Sequence, residues 1–261
     1  MRIKLFQVDA FTNRVFGGNP AAVCIIDEWL DDVLMQQIAA ENNLSETAFA
    51  VKLDAFYEIR WFTPNSEVDL CGHATLATAH VLFEHYHFPG EKIIFQSMTR
   101  GKLAVLREGE FLTLDFPADP PEKIDDPQKL IDAIGKPPLE SYRGSSDYML
   151  IYDTQKDIEE ISPNFSLLAE VDLRGIIVTA PGNDTDFVSR FFAPKLEINE
   201  DPVTGSAHTT LTPFWSERLG KKAMTAHQLS RRKGDLQCKL LDSRVHITGR
   251  AVTYLVGEIE I

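Results

Sequence analysis

The sequence predicts an α+β fold in two pseudo-symmetric domains, each a mixed, barrel-like β-sheet wrapped around a central helix. Three observations predict it. Many short strand-like runs punctuate the chain, with few helical ones between them. One helical run in each half is small or apolar nearly all round, as a helix enclosed by a curled sheet would be. The two halves also repeat a motif at nearly constant spacing. Such a mixture favours α+β layers over a doubly wound sheet.

Met1 to Ala10 alternates as a strand, and Phe16-Gly17-Gly18-Asn19-Pro20 is turn chemistry before a buried strand over Ala21 to Ile26. Asp31 to Asn42 reads as a helix with Leu34 and Ile38, joined by Met35 and Ala39, on its inner face. Ser45 to Leu53 and Tyr57 to Phe62 read as paired strands. Gly72 to Tyr86 is the first buried helix, followed by strands over Lys92–Phe95, Leu103–Arg107 and Leu112–Phe116. The proline-rich stretch Pro117 to Pro121 is the linker candidate, which divides the chain into lobes 1–117 and 118–261, with the C-terminal strand able to complete the first. Beyond it, helices are expected over Asp125–Ile134, between Asn164 and Asp172, and over Ser206–Leu219, the second buried helix. Strands are expected over Tyr148–Tyr152, Gly175–Ala180, Phe187–Phe192, Gln228–Leu229, Gln237–Leu241, His246–Ile247 and Ala251–Ile259.

The repeat sets Arg60-Trp-Phe-Thr-Pro64 and Glu67 against Arg190-Phe-Phe-Ala-Pro194 and Glu197 at an offset of 130 residues. Gly72-His73-Ala74 then lies against Gly205-Ser206-Ala207 at an offset of 133. Duplication places two buried helix N-termini facing one another across a cleft, where unpaired N–H groups and the positive dipole ends suit a small carboxylate.

Composition narrows the function classes. The 261 residues carry a formal net charge of −13, which repels phosphate backbones and anionic lipid, so nucleic acid and membrane are not expected partners. Three scattered cysteines, Cys24, Cys71 and Cys238, form no disulfide framework and no zinc spacing. Charged residues interrupt the N-terminal apolar stretch, and the longest apolar run is too short for a bilayer, so a cytoplasmic protein is expected. Neither GxGxxG nor a Walker loop is present.

Four polar residues stand out as catalytic candidates. Glu46, between a helix and a strand, is a candidate general base; the alternative is a capping or surface glutamate. His73 opens the first buried helix, where it could bind substrate and relay a proton, or be a satisfied core histidine. Asp201 and Ser206 flank the matching helix start, as substrate ligands or as plain N-caps. Cys71 at a helix N-terminus could abstract an α-proton, but a two-thiol racemase needs a partner thiol, and the repeat places Thr204 there, which favours packing for Cys71. His80, His85 and His87 belong to no compact ligand spacing, so no metal site is expected.

The blocks Gln7-Val-Asp-Ala-Phe11, Gly18-Asn-Pro-Ala-Ala-Val23, Leu44-Ser-Glu-Thr-Ala-Phe49, Arg60-x-Phe-Thr-Pro64, Glu67-x-x-x-Cys71-Gly-His-Ala-Thr75 and Glu200-Asp-Pro-Val-Thr-Gly-Ser-Ala207 resemble those of the PhzF-like isomerase family of phenazine biosynthesis. The resemblance covers most of the chain. It implies the diaminopimelate-epimerase fold, an active site between two lobes, a homodimer, and catalysis without cofactor or metal. The family's type enzyme isomerises trans-2,3-dihydro-3-hydroxyanthranilate by moving a proton between carbons. Carried over by motif, Glu46 is the proton shuttle; His73, Asp201 and Ser206 orient the substrate amine and carboxylate and help relay protons. Asn19, Gly72, Cys71 and Gly205 line the site. The expected partner is therefore a small-molecule carboxylate. Two alternatives stand beside this one: a one-thiol epimerase or racemase of amino or hydroxy acids using Cys71, and a carboxylate-binding protein without turnover.

Overall fold

The computed structural model describes residues 1–99, 101–125 and 127–261. The first elements are β1 (Arg2–Ala10), β2 (Asn19–Ile26), α1 (Asp32–Asn42), β3 (Glu46–Lys52), β4 (Tyr57–Phe62), β5 (Glu67–Val68), α2 (Gly72–Glu84), β6 (Lys92–Ser97), β7 (Gly101–Glu108) and β8 (Phe111–Pro117). There follow β9 (Glu122–Ile124), α3 (Gln128–Ile134), β10 (Glu140–Arg143), β11 (Asp147–Ile151), α4 (Gln155–Glu160), α5 (Phe165–Leu168), β12 (Gly175–Pro181) and β13 (Phe187–Phe192). The chain closes with α6 (Gly205–Leu219), β14 (Ala223–Gln228), β15 (Gly234–Leu241), β16 (Arg244–Gly249) and β17 (Ala251–Glu260). Two compact units result, Met1–Asp115 with Thr248–Ile261, and Phe116–Ile247.

In the first unit β1 lies between β17 and β2, antiparallel to both. From β2 the sheet continues through parallel β3, antiparallel β4, parallel β6 and antiparallel β7 and β8. Both parallel pairs need a crossover, and α1 and α2 supply them. Strands covered on both faces lose their polar alternation, and β3 is accordingly buried without a break from Thr47 to Val51. Phe49, Val51 and Phe62 pack with Met35, Ile38 and Ala39 of α1. Leu34, expected on that inner face, is only partly buried. The alternate positions Ala48 and Ala50 are small, leaving room on the opposite face for α2, which packs on β1, β2, β3, β7 and β17.

The second unit repeats the plan. Antiparallel β9, β10 and β11 lead to parallel β12, antiparallel β13, parallel β14 and antiparallel β15. The β11–β12 crossover carries α4 and α5, and the β13–β14 crossover is α6. Phe187 stacks on Trp215 of α6 at 5.7 Å, while Ile158, Leu168, Val178 and Phe192 form a separate core with Leu130 and Ile134 of α3. Registers match as well: Phe49 lies opposite Arg60 as Val178 lies opposite Arg190.

Several expectations need correction. The repeat partner of Glu67 is Glu200, not Glu197. Arg60 clasps Glu67 with two hydrogen bonds of 2.7 Å, and Arg190 clasps Glu200 at 2.7 and 3.0 Å. The inserted residues form a 3₁₀ turn over Pro194–Leu196, and Glu197 closes it at φ 63°. The offset of 133 therefore already holds at the glutamate. The helix expected after Asn164 is only the short α5, and α4 precedes it. Pro163 separates the two; a Thr154–Asp157 capping box starts α4 and the Asn164 side chain caps α5. The helix expected from Asp125 begins at Gln128, and Asp126 lies outside the described residues. The strand expected at Gln228–Leu229 runs instead over Ala223–Gln228, and β9 and β10 were not foreseen. No helix among the described residues is long and apolar enough to cross a membrane.

Candidate active site

In the first unit the polar candidates meet at the start of α2. Glu46 is the first residue of β3, beside Ala21 of parallel β2. Asn19 is the first residue of β2, delivered by Gly18 at φ 59°, where a Cβ would lie 2.0 Å from the Ala10 carbonyl oxygen. Cys71 is the extended N-cap residue of α2, and Gly72 and His73 open its first turn. His73 is the hub. Its Nε2 lies 3.1 Å from Oε2 of Glu46, its Nδ1 3.1 Å from Nδ2 of Asn19 and 3.5 Å from Sγ of Cys71.

Two features leave this cluster chemically unspent. The 3.1 Å contact between Glu46 and His73 is off the line of a hydrogen bond, and among the described residues neither buried atom has another hydrogen-bond partner. Buried polar atoms in that condition call for a ligand or water. The N-terminus of α2 also has no side-chain cap, so its first-turn N–H groups and dipole offer a seat for negative charge.

Burial pushes the Cys71 thiol up to about 11, and the Glu46 carboxylate adds to the effect. Burial alone would disfavour the His73 imidazolium, but Cys71 and Glu46 beside it push His73 well above the ordinary histidine value. Because the thiol stays protonated at neutral pH, Glu46 is the neighbour whose charge supports a protonated His73 there.

The second unit builds a comparable helix start from different residues. Thr204 is the extended N-cap residue of α6, again without a side-chain cap, and Gly205 and Ser206 begin the helix. They stand at the repeat positions of Cys71, Gly72 and His73. The Thr204 hydroxyl donates to Oδ2 of Asp201. Gln228, fully buried at the end of β14, locks this loop: its Oε1 accepts from Thr204 N–H at 2.8 Å and its Nε2 donates to the Asp201 carbonyl at 2.8 Å. Ser230 adds a hydrogen bond of 2.8 Å to the Pro202 carbonyl. His208 bonds the Thr204 carbonyl through Nδ1 at 2.9 Å, as Thr75 Oγ1 bonds the Cys71 carbonyl at 2.6 Å. Burial holds His208 down at about 4. The strand registers set Gly175 at the position of Glu46, and a Cβ there would lie 2.3 Å from the Phe191 ring. The second unit thus has no copy of the Glu46 carboxylate.

Every candidate of the first unit is therefore gathered around His73, and Asp201, Gly205 and Ser206 are gathered at the start of α6. One ligand atom each from Glu46, Cys71 and His73 lies within 4.8 Å of the others, a grouping in space that spacing along the sequence does not show. His73 turns a different nitrogen to Glu46 than to Cys71, which makes a chain of polar contacts rather than three ligand atoms around one point. Gln228 escaped notice in the sequence; His208 stands at the repeat position of Thr75, at an offset of 133.

The model of the phenazine biosynthesis-like protein family matches residues 8–257. The chain belongs to that family. An uncharacterized isomerase of Pseudomonas aeruginosa is 49% identical over 261 residues, covering 100% of both chains. The crystal structure of a PhzF family protein from Enterococcus faecalis superposes with a TM-score of 0.97 at 47% identity, again over 100% of both chains. The α+β fold reaches further, to a probable proline racemase from Agrobacterium radiobacter with a TM-score of 0.68 at 11% identity, covering 99% of this chain and 93% of that one. The family's architecture is of the diaminopimelate-epimerase type.

Proposed function

We propose that the chain is an isomerase that moves a proton between carbons of a small substrate bearing an amine or carboxylate, with Glu46 as the group that takes the proton and returns it. The observation that carries this reading is the buried Glu46–His73 contact of 3.1 Å with its hydrogen-bonding capacity unspent, beside an uncapped helix N-terminus. Glu46 removes a proton from a carbon activated by its neighbour. Negative charge grows on the substrate and is met by His73 and the first-turn amides of α2. Glu46 then delivers the proton to a second carbon, so one C–H bond breaks and one forms. No cofactor or metal takes part. Asp201 and Ser206 serve as substrate ligands, and Thr204 and Gln228 fix Asp201. A homodimer belongs to the same proposal and rests on the family resemblance; a cytoplasmic location rests on the three scattered cysteines, which suit a reducing compartment.

A thiol mechanism through Cys71 is the second reading. Its position touching His73 favours it; its thiol, held at about 11, and Thr204 at the repeat position count against it. Substitution separates the two. With a substrate that exchanges hydrogen in deuterated water, Glu46→Gln is expected to lose about 10²–10⁴ in rate while Cys71→Ala keeps most of it. The opposite pattern would assign the chemistry to the thiol.

A further inference from the structure

We infer that Trp61 is a specificity-determining residue of the Glu46 site, its indole N–H donating a hydrogen bond to an oxygen of the bound substrate. The inference rests on the proposed function for the identity of the ligand, and on the place of Trp61 in the sheet for the donor itself.

The chain has three tryptophans, and an indole N–H can only donate. Trp29 gives its hydrogen to Oε2 of Glu58 at 2.9 Å, and Trp215 gives its own to Oγ1 of Thr179 at 3.0 Å. Trp61 is 1% exposed, yet among the described residues its Nε1 has no hydrogen-bond partner. A buried indole N–H ordinarily finds an acceptor, and leaving it unmade is costly. With none supplied by the described residues, the acceptor has to come from a bound molecule.

Strand register places the ring. Trp61 of β4 lies directly opposite Ala48 of β3. Its neighbours Arg60 and Phe62 turn to α1: Arg60 bonds Asp32, and Phe62 packs with Met35 and Ile38. Trp61 therefore stands on the other face of the sheet, which carries Ala48 and Glu46 and receives His73 of α2. Glu46, two residues before Ala48, is the diagonal neighbour of Trp61, at about 7–8 Å between backbones and within reach of an aromatic side chain. Ala48 adds only a methyl group beside them. The second unit shows the same relation. Phe191 stands at the repeat position of Trp61 and Gly175 at that of Glu46, and a Cβ on Gly175 would lie 2.3 Å from the Phe191 ring. An aromatic ring at this position thus extends to the first residue of the neighbouring strand.

Phe191 has nothing to donate, so this donor belongs to the first unit alone. A substrate held against Glu46 would have to turn a carboxylate, carbonyl or hydroxyl oxygen toward β4. An analogue with a methyl or ammonium group there leaves the indole N–H buried and unpaired, and sites built on such a hydrogen bond discriminate strongly.

Nitrogen-15 NMR of the three indole N–H groups reads the contact without turnover, with the signals assigned through Trp29→Phe and Trp215→Phe. Acetate, small amino and hydroxy acids and trans-2,3-dihydro-3-hydroxyanthranilate would each be added to the wild type. The expected result is that one of these moves the Trp61 signal downfield and leaves those of Trp29 and Trp215, already bonded within the chain, in place. In Trp61→Phe the dissociation constant for the same compound, measured by calorimetry, should rise about 10-fold. Binding with the Trp61 signal unmoved, no movement with any compound, or unchanged affinity in Trp61→Phe would overturn the inference. The wild-type spectrum decides even if Trp61→Phe fails to fold. Deuterium exchange into a substrate without a Trp61 shift would sink this inference and spare the Glu46 mechanism; a shift without exchange would do the reverse.

Discussion

Alkylation of Cys71 offers a test of the site that needs no substrate. Burial and the Glu46 charge raise this thiol from 9.0 to about 11. A thiol so raised holds about 100-fold less thiolate at neutral pH, and the thiolate is the reacting form. Steric cover slows attack further. Iodoacetamide labelling at about pH 7.5, followed cysteine by cysteine by mass spectrometry, should show Cys71 reacting at least about 100-fold more slowly than an unstructured thiol. Cys24 and Cys238, both pushed up to about 12 by burial, serve as internal references and should be slower still. Removing the carboxylate in Glu46→Gln takes away one of the two contributions that raise Cys71, so its labelling should accelerate. Labelling as fast as a free thiol would refute the reasoning. It would mean that Cys71 and His73 already form a thiolate–imidazolium pair, and the role of base would pass from Glu46 to the sulfur.

Other expectations concern the second unit. His208 is held at about 4 against an ordinary 6.5. As pH falls below about 6.5 the unfolded chain takes up this proton first, so the contribution is complete above that pH and about 3 kcal/mol is lost by about pH 4. Urea titrations across that window should show the loss, and it should shrink in His208→Gln. Gln228→Leu leaves the buried Thr204 N–H without its acceptor, at a cost of about 1–3 kcal/mol in denaturant unfolding. The same change should loosen Asp201 and weaken substrate use while leaving the Glu46–His73 contact intact, a split visible in kinetics once a substrate is in hand.

Legibility in the sequence followed physical range. The helices α2 and α6 were readable because a helix enclosed by a sheet has to be apolar or small on every side, and both starts were marked by glycine. The duplication was readable because side chains at Arg60 and Arg190 do the same structural job. Its register slipped at Glu197 because the sequence alone does not show where an insertion falls; only the arginine's choice of Glu200 does. Glu46, His73, Asp201 and Ser206 could be nominated from short motifs. The contacts that give them meaning could not. Gln228 reaches Thr204 across 24 residues and Asn19 reaches His73 across 54, and both are set by strand pairing rather than by local pattern. The strands β9 and β10 went unread for a related reason: at three and four residues they are too short to show a period.

Proton NMR in deuterated water tests the central claim most directly. A panel of small amino and hydroxy acids, with trans-2,3-dihydro-3-hydroxyanthranilate among them, would be incubated with the wild type, Glu46→Gln and Cys71→Ala. The account predicts deuterium entering one substrate at carbon with the wild type and Cys71→Ala, and entry slowed by about 100-fold or more with Glu46→Gln. Exchange at the wild-type rate in Glu46→Gln would contradict it, as would tight binding of a panel member by the wild type with no exchange at all.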